Sequence, residues 1–202
     1  VAQICTTQGA SVWLSDVAPP DEMAEELTDA GLTAHASAVD VSDRASVEAW
    51  ANTCGDIDAL IDCAAICPFD EWEEDGWDVA RDNVFSINLG GPVNLCRAFM
   101  PGMARRGGGR IALVGSIAAR IGGVFAAPHY VMSKGGVHSF VRWAAKRGAP
   151  DGITVNAVAP GVVDTPMTQN QSFDYSTLPF GRKASAEEIA APLVFLVAPG
   201  AG

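Results

Sequence analysis

Tyr130 and Lys134 stand four residues apart in a stretch whose apolar period predicts a helix over residues 129–147, so both side chains leave one helical face. A phenol loses its proton near pH ~10, too high for proton exchange at neutral pH. A neighbouring ammonium favours the phenolate and lowers that value, which makes the pair a candidate proton shuttle. Ser116 follows the apolar run 110–114, fourteen residues before Tyr130, in the string Val-Gly-Ser-Ile-Ala-Ala. Open α/β sheets present ligand-binding groups at strand ends, so this hydroxyl is a candidate partner for the phenol. Each residue also has a plainer use: Ser116 as a strand terminator, Lys134 as a solvated helix charge, Asn88 as a backbone partner in a helix bend.

The elements that would hold these groups alternate along the chain. Short apolar runs at 11–15, 33–39, 60–64, 110–114 and 154–157 read as strands, and the helical periods at 21–29, 43–52, 77–105 and 129–147 lie between them. A last helix starts at Ser185, whose hydroxyl and the Glu188 carboxylate form a capping box. Strands alternating with helices give an α/β domain with a parallel sheet, and 202 residues at 49% hydrophobic composition suit a single domain. A net charge of −11 disfavours a nucleic-acid partner, and the Arg-rich stretch 105–110 reads as a connecting loop. The five cysteines are odd in number and scattered, without paired ligand spacing, which predicts reduced thiols in a cytoplasmic protein and no metal site. No apolar run reaches the ~18 residues of a membrane span.

In their order along the chain, Asn88 in Ile-Asn-Leu-Gly, Ser116, the Tyr-x-x-Ser-Lys string of Tyr130, Ser133 and Lys134, the string Asn-Ala-Val-Ala-Pro-Gly at 156–161, and then Thr165, Pro166 and Met167 resemble the short-chain dehydrogenase/reductase family. The match continues to Gly181, Arg182 and the closing helix, and so covers nearly the whole chain. The resemblance implies a Rossmann-type, doubly wound parallel sheet with helices on both faces. It also implies an NAD(P)-dependent short-chain alcohol dehydrogenase or ketoreductase, moving a hydride between a nicotinamide cofactor and a secondary alcohol or ketone. In the implied tetrad Tyr130 exchanges the proton, Lys134 lowers its pKa and holds the ribose, Ser116 orients the substrate oxygen, and Asn88 holds a water leading from Lys134 to solvent. Such a reaction leaves charge on oxygen that a positioned hydroxyl pair stabilises.

The same resemblance assigns cofactor contacts. Asp16, ending the first strand, would accept from the ribose hydroxyls and repel a 2′-phosphate, which favours NAD over NADP. Asp40 and Val41 fall on the adenine side, and Ala64 lies near the cofactor. Pro160 and Gly161 lie beside the nicotinamide, with Thr165 and the Val163 backbone holding its carboxamide. Asp62, Cys63, Ala64 and Ala65 stand where the family usually carries Asn-Asn-Ala-Gly, which places a possible charge at Asp62. The loop 167–180, with Phe173, Tyr175, Leu178 and Phe180, suits either a cover over an apolar alcohol or ketone or packing on the domain.

Aligned on Gly9, Ala10 and Asp16, the chain opens inside the family's first helix, with 1–7 as its tail. The first strand with its glycine-rich pyrophosphate turn, and the last strand after Gly202, are expected to be absent from residues 1–202. That leaves an incomplete sheet open at its centre, since the first strand lies between the second and the fourth. Residues 1–202 alone are therefore expected to fold poorly, to lack a principal pyrophosphate anchor and to be inactive. The family's pairing helices imply a homotetramer by analogy. Two rival readings stand beside the enzyme: a non-catalytic relative used as a binding or regulatory module, and an extended relative acting as a nucleotide-sugar epimerase or dehydratase.

Overall fold

The computed structural model of the chain describes residues 1–123, 125–171 and 174–201. The strands among them are β1 (Val12–Asp16), β2 (Ala34–Ala38), β3 (Ala59–Asp62), β4 (Gly109–Val114) and β5 (Ile153–Val158). The α-helices are α1 (Ala2–Thr7), α2 (Asp21–Asp29), α3 (Arg44–Cys54), α4 (Trp77–Phe85), α5 (Gly91–Arg105), α6 (Ala118–Ile121), α7 (Pro128–Gly148) and α8 (Ala186–Val197). All strand pairs are parallel, and they form two sheets, β1-β2 and β3-β4-β5. Among the described residues no hydrogen-bonded strand joins β1 to β3, so the doubly wound sheet is incomplete at its centre, as the sequence predicts.

Leu60, Ile111 and Val155 are register neighbours across the three-stranded sheet, and all three are buried in the main core. Val47 of α3, Leu95, Phe99 and Met103 of α5, and Val137 and Ala144 of α7 cover them. Ala112, between Ile111 and Leu113, belongs to the opposite face by the two-residue strand period. Helix α8, which buries Ala190, Leu193 and Val194, packs on the strands outside that main core. The sequence reading of helices on both faces therefore holds.

Three expected elements change shape, each for a local reason. The strand expected over 60–64 ends at Asp62, because the Asp62 carboxylate accepts the Ala64 N–H at 3.0 Å and turns the chain out of the sheet. The helix expected over 77–105 is interrupted by a π turn, Ser86–Gly90. Pro92 has no N–H to donate to the Asn88 carbonyl four residues back, which favours a wider turn there. The crossing of this turn with α7 is close. A Cβ on Gly136 would lie 2.5 Å from Leu89, so glycine is what lets Asn88 approach Ser133. The helix expected over 43–52 takes Asp43 as its N-cap and runs on to Cys54, where Gly55 at φ 65° ends it.

Candidate functional site

Tyr130 lies in the first turn of α7, and Ser133 and Lys134 follow one turn later, at the C-terminal ends of β4 and β5. Ser133 Oγ donates to the Tyr130 carbonyl at 2.8 Å and accepts from Asn88 Nδ2 at 3.1 Å. Lys134 Nζ donates to the Val114 carbonyl at 2.8 Å and stands 5.7 Å from the Tyr130 ring centre. Ser116, two residues beyond β4, lines the same cleft as Tyr130, where its hydroxyl draws the phenol's pKa down, and its Oγ accepts the Ala118 N–H at 3.1 Å. Phenol, ammonium and hydroxyl thus line one cleft, and Lys134 is 2% exposed rather than a solvated helix charge.

Electrostatics alters one expectation. Burial pushes the Tyr130 phenol above the ordinary tyrosine value; the Cys67 thiol adds to the rise, and the hydrogen bond with Ser116 pulls it back. The lowering expected from Lys134 is not among these influences, and the loss of water around the ring sets the direction. Burial likewise holds the Lys134 ammonium below the ordinary lysine value, while Asp62, Cys63 and Cys67 work the other way. Asp62 is itself 6% exposed at the end of β3. Burial lifts its carboxyl to about 6, against the opposing effects of the Ala64 N–H and Lys134. The thiols of Cys63 and Cys67 rise to about 11 and about 12, mainly by burial.

A cleft of about 400 Å³ opens in front of the phenol. Its wall includes Ser116, Tyr130, Lys134, Pro160, Gly161, Val163 and Thr165 from the sequence-predicted set. Asn88 stands behind this wall, 1% exposed, with its amide clamped to one backbone residue: Oδ1 accepts the Ile66 N–H and Nδ2 donates to the Ile66 carbonyl, both at 2.9 Å. The Val163 carbonyl accepts the Thr168 hydroxyl. Asp16, Asp40, Val41 and Ala64 do not line the cleft. The exposed Asp16 carboxylate accepts the Val17 N–H at 2.7 Å, and that of Asp40 accepts from the Ser42 N–H and hydroxyl at 2.9 and 2.6 Å. Those hydrogen bonds hold the Asp40 carboxyl below the ordinary aspartate value. The Val41 carbonyl accepts from Asn94 at 3.0 Å.

Sequence reasoning did not single out Phe69, Phe125 or His129. Phe69 and Phe125, with ring centres 5.6 Å apart, line the cleft beside Cys67. His129 directly precedes Tyr130, and its partner Asp70 is 59 positions away, a separation no spacing rule reveals. Of the loop 167–180, Met167 and Thr168 reach the cleft, while Phe180 is 87% exposed; Phe173 lies outside the described residues.

A family model described as enoyl-(acyl carrier protein) reductase matches residues 1–202. An acetoacetyl-CoA reductase of Allochromatium vinosum is 35% identical over 187 residues, covering 89% of this chain and 74% of that protein. A crystal structure of a 3-oxoacyl-[acyl-carrier protein] reductase with bound NAD from Brucella melitensis superposes with a TM-score of 0.88 at 30% identity, over 98% of this chain and 78% of that one. A gluconate 5-dehydrogenase from Burkholderia cenocepacia in complex with NADP and tartrate superposes with a TM-score of 0.86 at 25% identity, over 96% and 80% of the two chains.

Proposed function

The chain belongs to the short-chain dehydrogenase/reductase family of oxidoreductases, and from that premise we propose that it interconverts a secondary alcohol and a ketone with Tyr130 as the acid and base. The observation that carries this reading is the placement of Tyr130, Ser116 and Lys134 on the wall of one cleft at the strand ends, with Lys134 Nζ 5.7 Å from the Tyr130 ring centre. The donor set suits the nicotinamide half of a dinucleotide: a lysine ammonium for ribose hydroxyls, and Thr165 with its neighbouring backbone for an amide. A bound nicotinamide cofactor supplies or accepts the hydride. In the direction of reduction the phenol, held protonated by burial, gives its proton to the ketone oxygen; in oxidation it takes one back. Ser116 donates to the same oxygen and steadies the charge that develops on it. Asn88 fixes Ser133 and the chain at Ile66, and a water on its remaining acceptor position would lead protons away from Lys134.

Asp16, exposed at the end of β1, is proposed to prefer the free ribose hydroxyls of NAD to the 2′-phosphate of NADP, with Asp40 and Val41 on the adenine side. Among solved relatives one carries NAD and another NADP. Measured affinities for the two cofactors, and their reversal in Asp16→Ala, therefore test this choice. The substrate class is proposed as a small or mid-sized alcohol or ketone, given the apolar side chains of Phe69, Phe125 and Met167 on the cleft. The outer side of α7 exposes Met132 and Trp143, 52% and 61% accessible, which supports pairing of copies through this helix and a homotetramer. No helix among the described residues is long and apolar enough to cross a membrane, and a cytoplasmic location is proposed from the five free, scattered cysteines.

The split sheet supports the further proposal that residues 1–202 alone are inactive. The deciding experiment therefore uses a polypeptide in which a strand fills the gap between β1 and β3. It should reduce NAD with one or more of a panel of secondary alcohols. Tyr130→Phe should lower kcat/KM by about 10²–10⁴, the range for general acid–base groups. Undiminished turnover in that variant would refute the assignment.

A further inference from the structure

The residue before Tyr130 joins the proposed proton donor to the opposite wall of the cleft. His129 is wholly buried, so both ring nitrogens need partners. Its Nδ1 accepts the Tyr130 N–H at 2.7 Å, which leaves the proton on Nε2, and Nε2 meets Asp70 Oδ1 at 2.9 Å. The imidazole also stacks on the Trp77 ring, 5.4 Å between centres and 5° from parallel. Arg81 lies over that same indole at 5.7 Å.

Asp70 ends a short loop whose other end is clamped. Asn88 takes both the N–H and the carbonyl of Ile66, so chain 66–70 is held at one end by Asn88 and at the other by His129. Cys67 and Phe69, between those anchors, face the cleft, and Phe69 meets Phe125 beside it. A wall fixed at two points cannot slide relative to the phenol, whereas a wall fixed only at Ile66 can pivot.

We propose that His129 is a positioning residue that fixes the wall 66–70 at a set distance from Tyr130, and so defines the shape of the substrate that fits beneath it. The role toward substrate rests on this cleft being the catalytic site; the structural coupling does not. His129 acts through Asp70 and the Tyr130 backbone, without touching the reacting atoms.

Hydrogen exchange of the backbone amides in 66–76 tests the coupling without any need for turnover. In His129→Ala the hydrogen-bonded amides of this stretch, Ile66 and Glu74, should exchange about tenfold faster, the size expected for one lost buried hydrogen bond, while amides of β4, β5 and the middle of α7 keep their rates. His129→Gln, whose Nε2 donates from a similar place, should restore the slow exchange, and Asp70→Asn, which keeps the acceptor oxygen, should match the native protein. Asp70→Ala breaks the same contact from the more exposed side and covers the case in which the alanine at 129 does not fold. In parallel, Cys67 should react faster with iodoacetamide in His129→Ala and Asp70→Ala, with Cys63 as internal comparison. Unchanged exchange in 66–76, or an equal acceleration along all of α7, overturns the proposal. If exchange behaves as expected but Tyr130→Phe leaves turnover intact, the coupling stands and the catalytic reading falls.

Discussion

Tyr130 is one of two tyrosines in the chain, so its titration can be read directly. In a Tyr175→Phe background the tyrosinate absorbance reports Tyr130 alone. Its midpoint should lie above the ordinary tyrosine value, and Ser116→Ala should raise it further, because the hydrogen bond with Ser116 is the influence holding it down. A midpoint that ignores Ser116 would show that the two hydroxyls do not meet in solution. Asp62 yields a second measurement. Its folded value of about 6 exceeds the unfolded ~3.9, so the native state holds the proton more tightly and stability falls as pH rises from about 4 to about 6. Above that window the penalty reaches at most about 3 kcal/mol for this buried group, with the favourable effect of Lys134 already included. Asp62→Asn should therefore raise the urea midpoint at pH 7 and match the native protein near pH 4; a loss at pH 7 would show that pairing with Lys134 outweighs burial. At this scale the sequence shows Tyr130, Lys134 and Ser116 clearly, since helical period and strand end put them on one side. It does not show that burial raises the phenol's pKa, because that burial, like the arrival of Cys67, Phe69 and Phe125 at the cleft, comes from the tertiary fold.

Helix ends and turns are legible where the chemistry is local. Ser185 and Glu188 form the capping box that their spacing predicts, with Ser185 N to Glu188 Oε2 at 2.8 Å and Glu188 N to Ser185 Oγ at 3.3 Å. Since α8 carries Ile189, Ala190 and Leu193 to the cleft, this cap also sets one of its walls. Ser185→Ala should cost about 1 kcal/mol, read as a lower urea midpoint, and Ser185→Thr should keep most of it. The π turn at Ser86–Gly90 is less legible: Pro92 announces a missing donor, but a kink, a break and a wide turn all satisfy that constraint. Only the approach of α7 at Gly136 decides among them, by seating Leu89 against the glycine and pointing Asn88 at Ile66 and Ser133. The end of β3 is similar, since an Asx turn at Asp62 is written in one residue, yet a continuous apolar run masks it.

Taken as a whole, the molecule divides along the line that the family resemblance predicts. Sheet β1-β2 and sheet β3-β4-β5 share core side chains, Val39 and Trp13 among them, but no ladder of hydrogen bonds crosses between the sheets in the described residues. Side-chain packing is tolerant of small displacements, whereas a strand ladder fixes register, so the two halves are coupled more loosely than strands within each half. Edges with unpaired N–H and C=O groups also invite association with other chains. Residues 1–202 alone should therefore melt without a single shared transition: in a variant that keeps Trp13 and replaces the other four tryptophans by phenylalanine, fluorescence from the two-stranded half should change at a lower temperature than the far-UV signal dominated by α5 and α7. A tendency to aggregate should accompany it. Joining a strand-and-turn segment built to sit between β1 and β3 should bring the two transitions together and raise both, because one inserted parallel strand satisfies both inner edges at once. Coincident, reversible transitions in the unmodified span would show that side-chain packing alone makes the halves one cooperative unit, and the expected inactivity of that span would then lose its physical basis.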